Sequence, residues 1–148
     1  MGAVLTACTV GVVQAEPVVS PCDTDNRCHA VRNFFLRYQS PLEKLAHVFV
    51  RASDSHKLDW RLLPALAMVE TTGGLYGTPN NVFGWNSGRT RFASIEAGIL
   101  YVASRFAVSP IYAGRTAIEI LRRYNPARKA YPPKVTRYML ELSPEPVR

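Results

Sequence analysis

The sequence predicts a mostly α, single-domain protein in which a Gly/Asn-rich loop or small hairpin lobe lies beside one very apolar helix. Apolar residues recur at helical spacing through most of the chain, and Ser, Asp and Thr stand in front of the apolar runs as caps. Between Thr71 and Thr90 the periodicity stops, and Gly73-Gly74, Gly77, Thr78-Pro79-Asn80-Asn81 and Asn86-Ser87-Gly88 supply turn chemistry instead. At 148 residues the chain is long enough for one core and short for two. With 47% hydrophobic and 20% charged residues, it is neither a disordered nor a collagen-like nor a coiled-coil chain.

Each element has its own signal. Val31, Phe34, Phe35 and Tyr38 fall on one helical face. Ser40-Pro41-Leu42-Glu43 starts a second helix, with serine as cap, proline at the first helical position and glutamate completing a capping box. Leu42, Leu45, Ala46 and Phe49 form its stripe. Asp59 is read as the N-cap of a third helix, in which Leu62, Leu63, Leu66, Ala67 and Val69 lead to Glu70. Pro64 is awkward inside that helix, since it removes a backbone bond, unless it marks where the regular helix begins. Ser94 caps a helix reaching to about Ala107, with Ile95, Ile99, Val102 and Phe106 inward. Thr116-Ala117-Ile118-Glu119 is a second capping box, and its helix must stop near Tyr124-Asn125 because Pro126 follows. A final helix runs from about Pro133 to Leu142. No strand and no internal repeat is predicted.

Residues 1–15 read as a signal segment: Ala3 to Val13 is apolar apart from two threonines, and Val13-Gln14-Ala15 resembles a small-residue cleavage site, although no basic n-region precedes it. The segment is shorter than the ~20 residues of a membrane-spanning helix. Leu5-Thr6-Ala7-Cys8 also resembles a lipobox, so a lipid anchor at Cys8 is the alternative. Residues 16–25 follow as a flexible leader and 26–148 as the folded domain. Export to the periplasm, the cell wall or the medium is expected. In that setting Cys22 and Cys28 form a small disulfide loop; a cytosolic protein would carry them as free thiols.

The net charge is +7, and the excess lies in one part of the chain. Residues 1–88 hold seven bases and seven acids, whereas residues 89–148 hold eleven bases and four acids. A polyanionic partner is implied: nucleic acid, an anionic membrane or the cell wall. The three histidines, His29, His47 and His56, have no metal-ligand spacing, so no metal is expected. Neither a phosphate loop nor a G-x-S-x-G elbow is present, and no cofactor is implied.

Glu70 is the candidate for chemistry. It closes the most apolar helix of the chain, where a carboxylate opposes the helix macrodipole. Partial burial and the negative helix end both disfavour ionisation, which suits a general acid working near neutral pH. Protonation of a sugar leaving oxygen needs such a group. The alternative is a solvated glutamate ending an amphipathic helix.

The stretch from Leu58-Asp59 through Met68-Val69-Glu70-Thr71-Thr72-Gly73-Gly74 resembles the catalytic helix of the lysozyme-like superfamily, which includes bacterial lytic transglycosylases and the glucosaminidase family of cell-wall hydrolases. Asn80-Asn81-Val82-Phe83-Gly84-Trp85 is similar to the N-x-F-G signature of the glucosaminidases, and Phe92-Ala93-Ser94-Ile95-Glu96-Ala97-Gly98-Ile99 to the segment after it. Tyr124-Asn125 resembles the Tyr-Asn pair of the transglycosylases. The similarity spans about residues 42–140, in order. It implies a lysozyme-like catalytic domain over residues 26–148 with Glu70 as general acid and the Tyr124 hydroxyl beside it. It further implies that Asn125 orders that corner, that Thr71 orients the carboxyl, and that Asn81, Phe83, Gly84 and Trp85 form a cleft wall for a sugar ring and its N-acetyl group. The implied activity is cleavage of β-1,4 linkages in peptidoglycan, endo-β-N-acetylglucosaminidase-like or transglycosylase-like, by a monomer acting on glycan strands.

No Asp or Glu occurs between Glu70 and Glu96, so a second catalytic carboxylate would have to come from Asp54, Asp59, Glu96 or Glu119. The last three have structural explanations near helix starts, which favours one-glutamate catalysis assisted by the substrate's acetamido group. Two other classes compete. One is a non-catalytic peptidoglycan-binding module. The other is a nucleic-acid binder, suggested by Arg122, Arg123, Arg128, Lys129, Lys134 and Arg137 interleaved with Tyr124, Tyr131 and Tyr138, and opposed by the signal segment. A charge excess serving a general acid should flank the cleft, because a cation touching Glu70 would lower its pKa.

Overall fold

The computed structural model describes residues 22–147; the signal segment, Cys8 and the leader up to residue 21 lie outside the described residues. Apolar residues at helical spacing form α1 (Asn26–Arg37), α2 (Ala46–Ser55), α3 (Leu62–Thr71), α4 (Ile95–Val108), α5 (Ala117–Tyr124) and α6 (Tyr131–Leu142), with a 3₁₀ helix at Pro41–Leu45 leading into α2. There is no strand among the described residues, so the segment between α3 and α4 is a loop rather than a hairpin. Residues 22–25, which the sequence assigns to the leader, join the fold. Cys22 and Cys28 are disulfide-bonded with Cα atoms 5.1 Å apart. Asp25 caps α1 by accepting from the Arg27 amide.

The caps explain where the helices begin, and two differ from expectation. Ser40 caps the 3₁₀ helix, but Glu43 does not complete a box. The Ser40 amide already donates to the Phe35 carbonyl at 2.9 Å, so Glu43 faces Arg32 instead, at 3.6 Å. Asp59 is not the N-cap of α3; Arg61 holds that position. Asp59 accepts from the Arg61 amide and guanidinium, while its carbonyl accepts from the Leu62 amide. Pro64 is the third residue of α3. Its missing amide hydrogen costs nothing there, because first-turn amides have no intrahelical acceptor. The same reasoning lets α6 start at Tyr131, two residues before the expected Pro133, with Pro132 and Pro133 inside its first turn. Ser94 and the Thr116/Glu119 box cap α4 and α5.

Helix α3 is apolar on all sides, and every residue from Leu62 to Met68 is buried. A helix of that kind belongs inside the protein. It packs chiefly against α6, while α2 packs on α4 and α1 on the 3₁₀ helix and α2. Phe34, Phe35, Phe49, Phe83 and Phe106 fill the core between them.

Arg61 sets the direction of α6 against α3. The residue is 3% exposed, and its guanidinium uses all five donors: two go to the Asp59 carboxylate and three to the carbonyls of Ser143, Glu145 and Pro146. The end of α6 is thereby tied to the beginning of α3. The two helices run antiparallel, and the first residue of α6 arrives at the last turn of α3.

Candidate active site

Helix α3 ends one residue past Glu70, where Thr72 turns left-handed at φ 52° and the Gly73 amide bonds back to the Ala67 carbonyl. Gly73 is confined to glycine: its φ is +66°, and an added Cβ would lie 2.6 Å from the Ser40 hydroxyl. That hydroxyl donates to the Gly73 carbonyl, fixing the exit of the helix against the 3₁₀ segment.

The loop that follows is organised by buried polar side chains. Asn81 is wholly buried and donates to the carbonyls of Trp85 and Thr90, while its oxygen accepts from the Trp85 amide at 2.8 Å. Thr71 donates to the Val82 carbonyl at 2.8 Å and accepts from the Gly74 amide. Thr78 donates to the Gly88 carbonyl. These side chains thus satisfy the carbonyls of Val82, Trp85, Gly88 and Thr90 and the amides of Gly74 and Trp85, which ties the loop together as a fixed binding wall requires.

Between this loop, α4 and the end of α5 lies an open cleft of about 660 Å³. Glu70, Gly84, Trp85, Tyr101, Tyr112 and Tyr124 supply its floor and aromatic wall, and Asn86, Ser87, Thr90 and Asn125 its polar rim. Among the described residues that line it, Glu70 is the only acid. A cavity of the same size opens at the other end of α3, but its Asp59 is spent on Arg61.

The Glu70 carboxyl is half-buried and accepts a hydrogen bond from the Tyr131 hydroxyl. Burial pushes its pKa above the usual carboxylate range. The Tyr131 hydroxyl, then Lys134 and Arg128, pull it down, and burial prevails. Glu70 makes no ion pair among the described residues, so the nearby cations act through space and not by contact. Gly84 leaves room for the carboxyl: its φ is +60°, and an added Cβ would lie 3.1 Å from Glu70 Oε2.

Several expected site residues sit elsewhere. Tyr124 lines the cleft, but its hydroxyl donates to the Phe83 carbonyl at 2.5 Å rather than to Glu70. Its ring stacks on Tyr131, with centroids 6.1 Å apart. Thr71 does not orient the carboxyl, because its hydroxyl is committed to Val82 and Ala67. Asn81 organises the loop from below and is absent from the cleft wall. Phe83 turns into the core against Phe49, leaving only its carbonyl on this side. Gly84, Trp85 and Asn125 do line the cleft. Trp85 is half-buried, packing edge-on against Tyr101 at 5.8 Å and against Tyr124 at 6.0 Å.

Tyr101, Tyr112 and Tyr131 were not singled out for this site by the sequence. A helical wheel places Tyr101 away from the inward Ile95, Ile99, Val102 and Phe106, on the side facing out, which is a usable signal for a wall residue. Tyr131 had none, since a helix start at Pro133 leaves it outside the helix. The tyrosines counted toward nucleic-acid stacking are not a free platform: Tyr131 is buried, Tyr124 is bonded to Phe83, and Tyr138 packs on Phe34 and Tyr38. The other acids are also engaged: Asp54 pairs with Arg27, Glu96 with Arg51, and Glu119 closes its capping box.

Among the described residues no His, Cys, Asp or Glu group is arranged to hold a metal ion. Nor is any helix among them long and apolar enough to cross a membrane. No protein-family model matches the chain, and no curated protein sequence matches it. The fold and site thus define a mostly helical protein whose cleft holds one half-buried carboxyl with a raised pKa.

Proposed function

We propose that the chain is a lysozyme-like enzyme, of the glucosaminidase or lytic-transglycosylase type, that cleaves β-1,4 linkages in the glycan strands of bacterial peptidoglycan. The observation that carries this reading is Glu70: the one acid among the described residues lining an aromatic-walled cleft, its pKa raised by burial and its carboxyl oriented by a tyrosine hydroxyl.

The protonated Glu70 carboxyl donates its hydrogen to the glycosidic oxygen as the C1–O bond breaks. Among the described residues no second acid lines the cleft, so the positive charge developing at C1 is met by the substrate's own acetamido oxygen. The Glu70 carboxylate left behind then takes a proton from the attacking hydroxyl, that of water or of the sugar itself, and the starting state is restored. Tyr131 holds the carboxyl in one orientation and stabilises it while it is charged. The rings of Trp85, Tyr101 and Tyr112 suit the apolar faces of sugars, and the rim of Asn86, Ser87, Thr90 and Asn125 suits hydroxyl and amide groups. The Cys22–Cys28 disulfide supports export, because such bonds persist in oxidising compartments.

Mass spectrometry of the fragments released from purified sacculi tests the reading. Cleavage by the natural protein is expected, with Glu70→Gln slower by ~10²–10⁴-fold, the usual worth of a general acid. Reducing ends identify a hydrolase and 1,6-anhydromuramic ends a transglycosylase. Sacculi that bind the natural protein but stay intact would make it a binding module and overturn the enzymatic reading.

A further inference from the structure

Asn125 and Pro126 form one edge of the cleft. Both residues also line a neighbouring groove of about 400 Å³, whose other walls are Arg122, Arg128, Lys129 and the Pro132-Pro133 pair. Arg122 lies in the last turn of α5, and Arg128 and Lys129 in the connection to α6. This groove differs in chemistry from the cleft that it joins. Among the described residues that line it there is no aromatic ring on which a sugar could stack and no acid, and three prolines, Pro126, Pro132 and Pro133, supply its apolar part. All three cations are exposed, and none has an ion pair or a side-chain hydrogen bond among the described residues. Arg27, Arg51 and Arg61, by contrast, each face a carboxylate.

A cationic, proline-lined groove that shares an edge with an aromatic-walled cleft fits a branched polymer, with sugars in the cleft and an anionic, non-sugar side arm in the groove. We infer that the groove is a carboxylate-binding subsite for the peptide branch of the glycan strand, an inference that rests on the peptidoglycan reading of the cleft. The arm's carboxylates would meet Arg122, Arg128 and Lys129 while its small aliphatic side chains lie on the prolines. Occupancy also acts on the acid. Arg128 lowers the pKa of Glu70 through space, after Tyr131 and Lys134, and a carboxylate on Arg128 opposes that effect.

The test compares N-acetylmuramyl-tetrapeptide with the same compound carrying amidated peptide carboxylates, each titrated into the full chain by NMR. Neither probe holds a glycosidic bond, so binding is read without turnover. The acid form should bind about five-fold tighter, the scale of two or three exposed ion pairs. Arg122→Ala/Arg128→Ala/Lys129→Ala should erase the difference while leaving the circular dichroism spectrum unchanged. Shift changes should map to the groove. Equal binding of the two forms, or a preference that survives the substitutions, overturns the inference. So does displacement of the acid form by an equimolar amount of inorganic phosphate, which would mark a general anion site. A retained preference in a protein that leaves sacculi intact would sink the enzymatic reading alone, and cleavage with no preference would sink the subsite alone.

Discussion

The Tyr131 hydroxyl donates to the Glu70 carboxylate, joining the first residue of α6 to the last turn of α3. A phenol hydrogen bond stabilises the charged form of a carboxyl, so it opposes the burial that raises the Glu70 pKa. Burial and the neighbouring carboxylate in turn push the Tyr131 phenol far above its usual range, which keeps it a donor at any physiological pH.

Tyr131→Phe should therefore raise the Glu70 pKa further. A general acid is lost as pH rises through its pKa, so the alkaline limb of kcat/KM is expected to move to higher pH. At the optimum, kcat should fall roughly 10–100-fold because the carboxyl loses its orienting partner. The pH–rate profile on peptidoglycan measures both, and an unmoved limb would remove Tyr131 from the mechanism.

Glu70→Gln should stabilise the fold at neutral pH. The folded pKa is raised above the ordinary value of 4.5, so below that value both states are protonated and the fold bears no penalty. As pH rises the unfolded state ionises first, and stability is lost until the folded pKa has been passed. The variant lacks this loss. Its melting temperature should exceed that of the natural protein at pH 7, and the difference should shrink as the pH falls toward 4. Thermal melts at the two pH values decide the point.

Gly84→Ala acts on the same carboxyl from the opposite side. The left-handed φ of +60° penalises any Cβ by ~1–2 kcal/mol. The new methyl would also crowd Glu70 Oε2 at 3.1 Å. We expect kcat to drop by about 10²-fold while KM changes by less than about three-fold, since the sugar-facing wall is kept. Steady-state kinetics with a soluble glycan fragment would show this split.

Asn81→Ala removes the centre of the loop framework. It orphans the Trp85 amide and the carbonyls of Trp85 and Thr90 around a wholly buried position, at a cost of ~2–4 kcal/mol. The melting point should fall by roughly 8–15 °C. Trp85 emission should shift to the red as the indole loses its packing. An unchanged emission maximum in the folded variant would mean that Asn81 does not hold the wall.

The sequence carries the local half of this architecture because helix formation and capping are local. Thr116 and Glu119 read as a box and form one, and Ser94 reads as a cap and is one. Ser40 shows the limit: its amide is taken by Phe35 of the preceding helix, and nothing within the four-residue signature reports that competitor. Asn81 and Thr71 were misplaced for a related reason. A buried polar side chain can serve a ligand or its own backbone, and only the packed loop shows that both serve the backbone.

Glu70 at the end of a uniformly apolar helix was legible from residues 62–70 alone, because the hydrophobic run and the carboxyl that closes it are adjacent in the chain. Which tyrosine meets that carboxyl was not. Tyr124 and Tyr131 stack on each other within one short segment, yet one hydroxyl goes to Phe83 and the other to Glu70. That choice follows from the antiparallel docking of α6 on α3, anchored by Arg61 holding the carbonyls of Ser143, Glu145 and Pro146. These contacts span more than eighty residues of sequence, and no local pattern encodes a meeting that depends on how two distant helices pack.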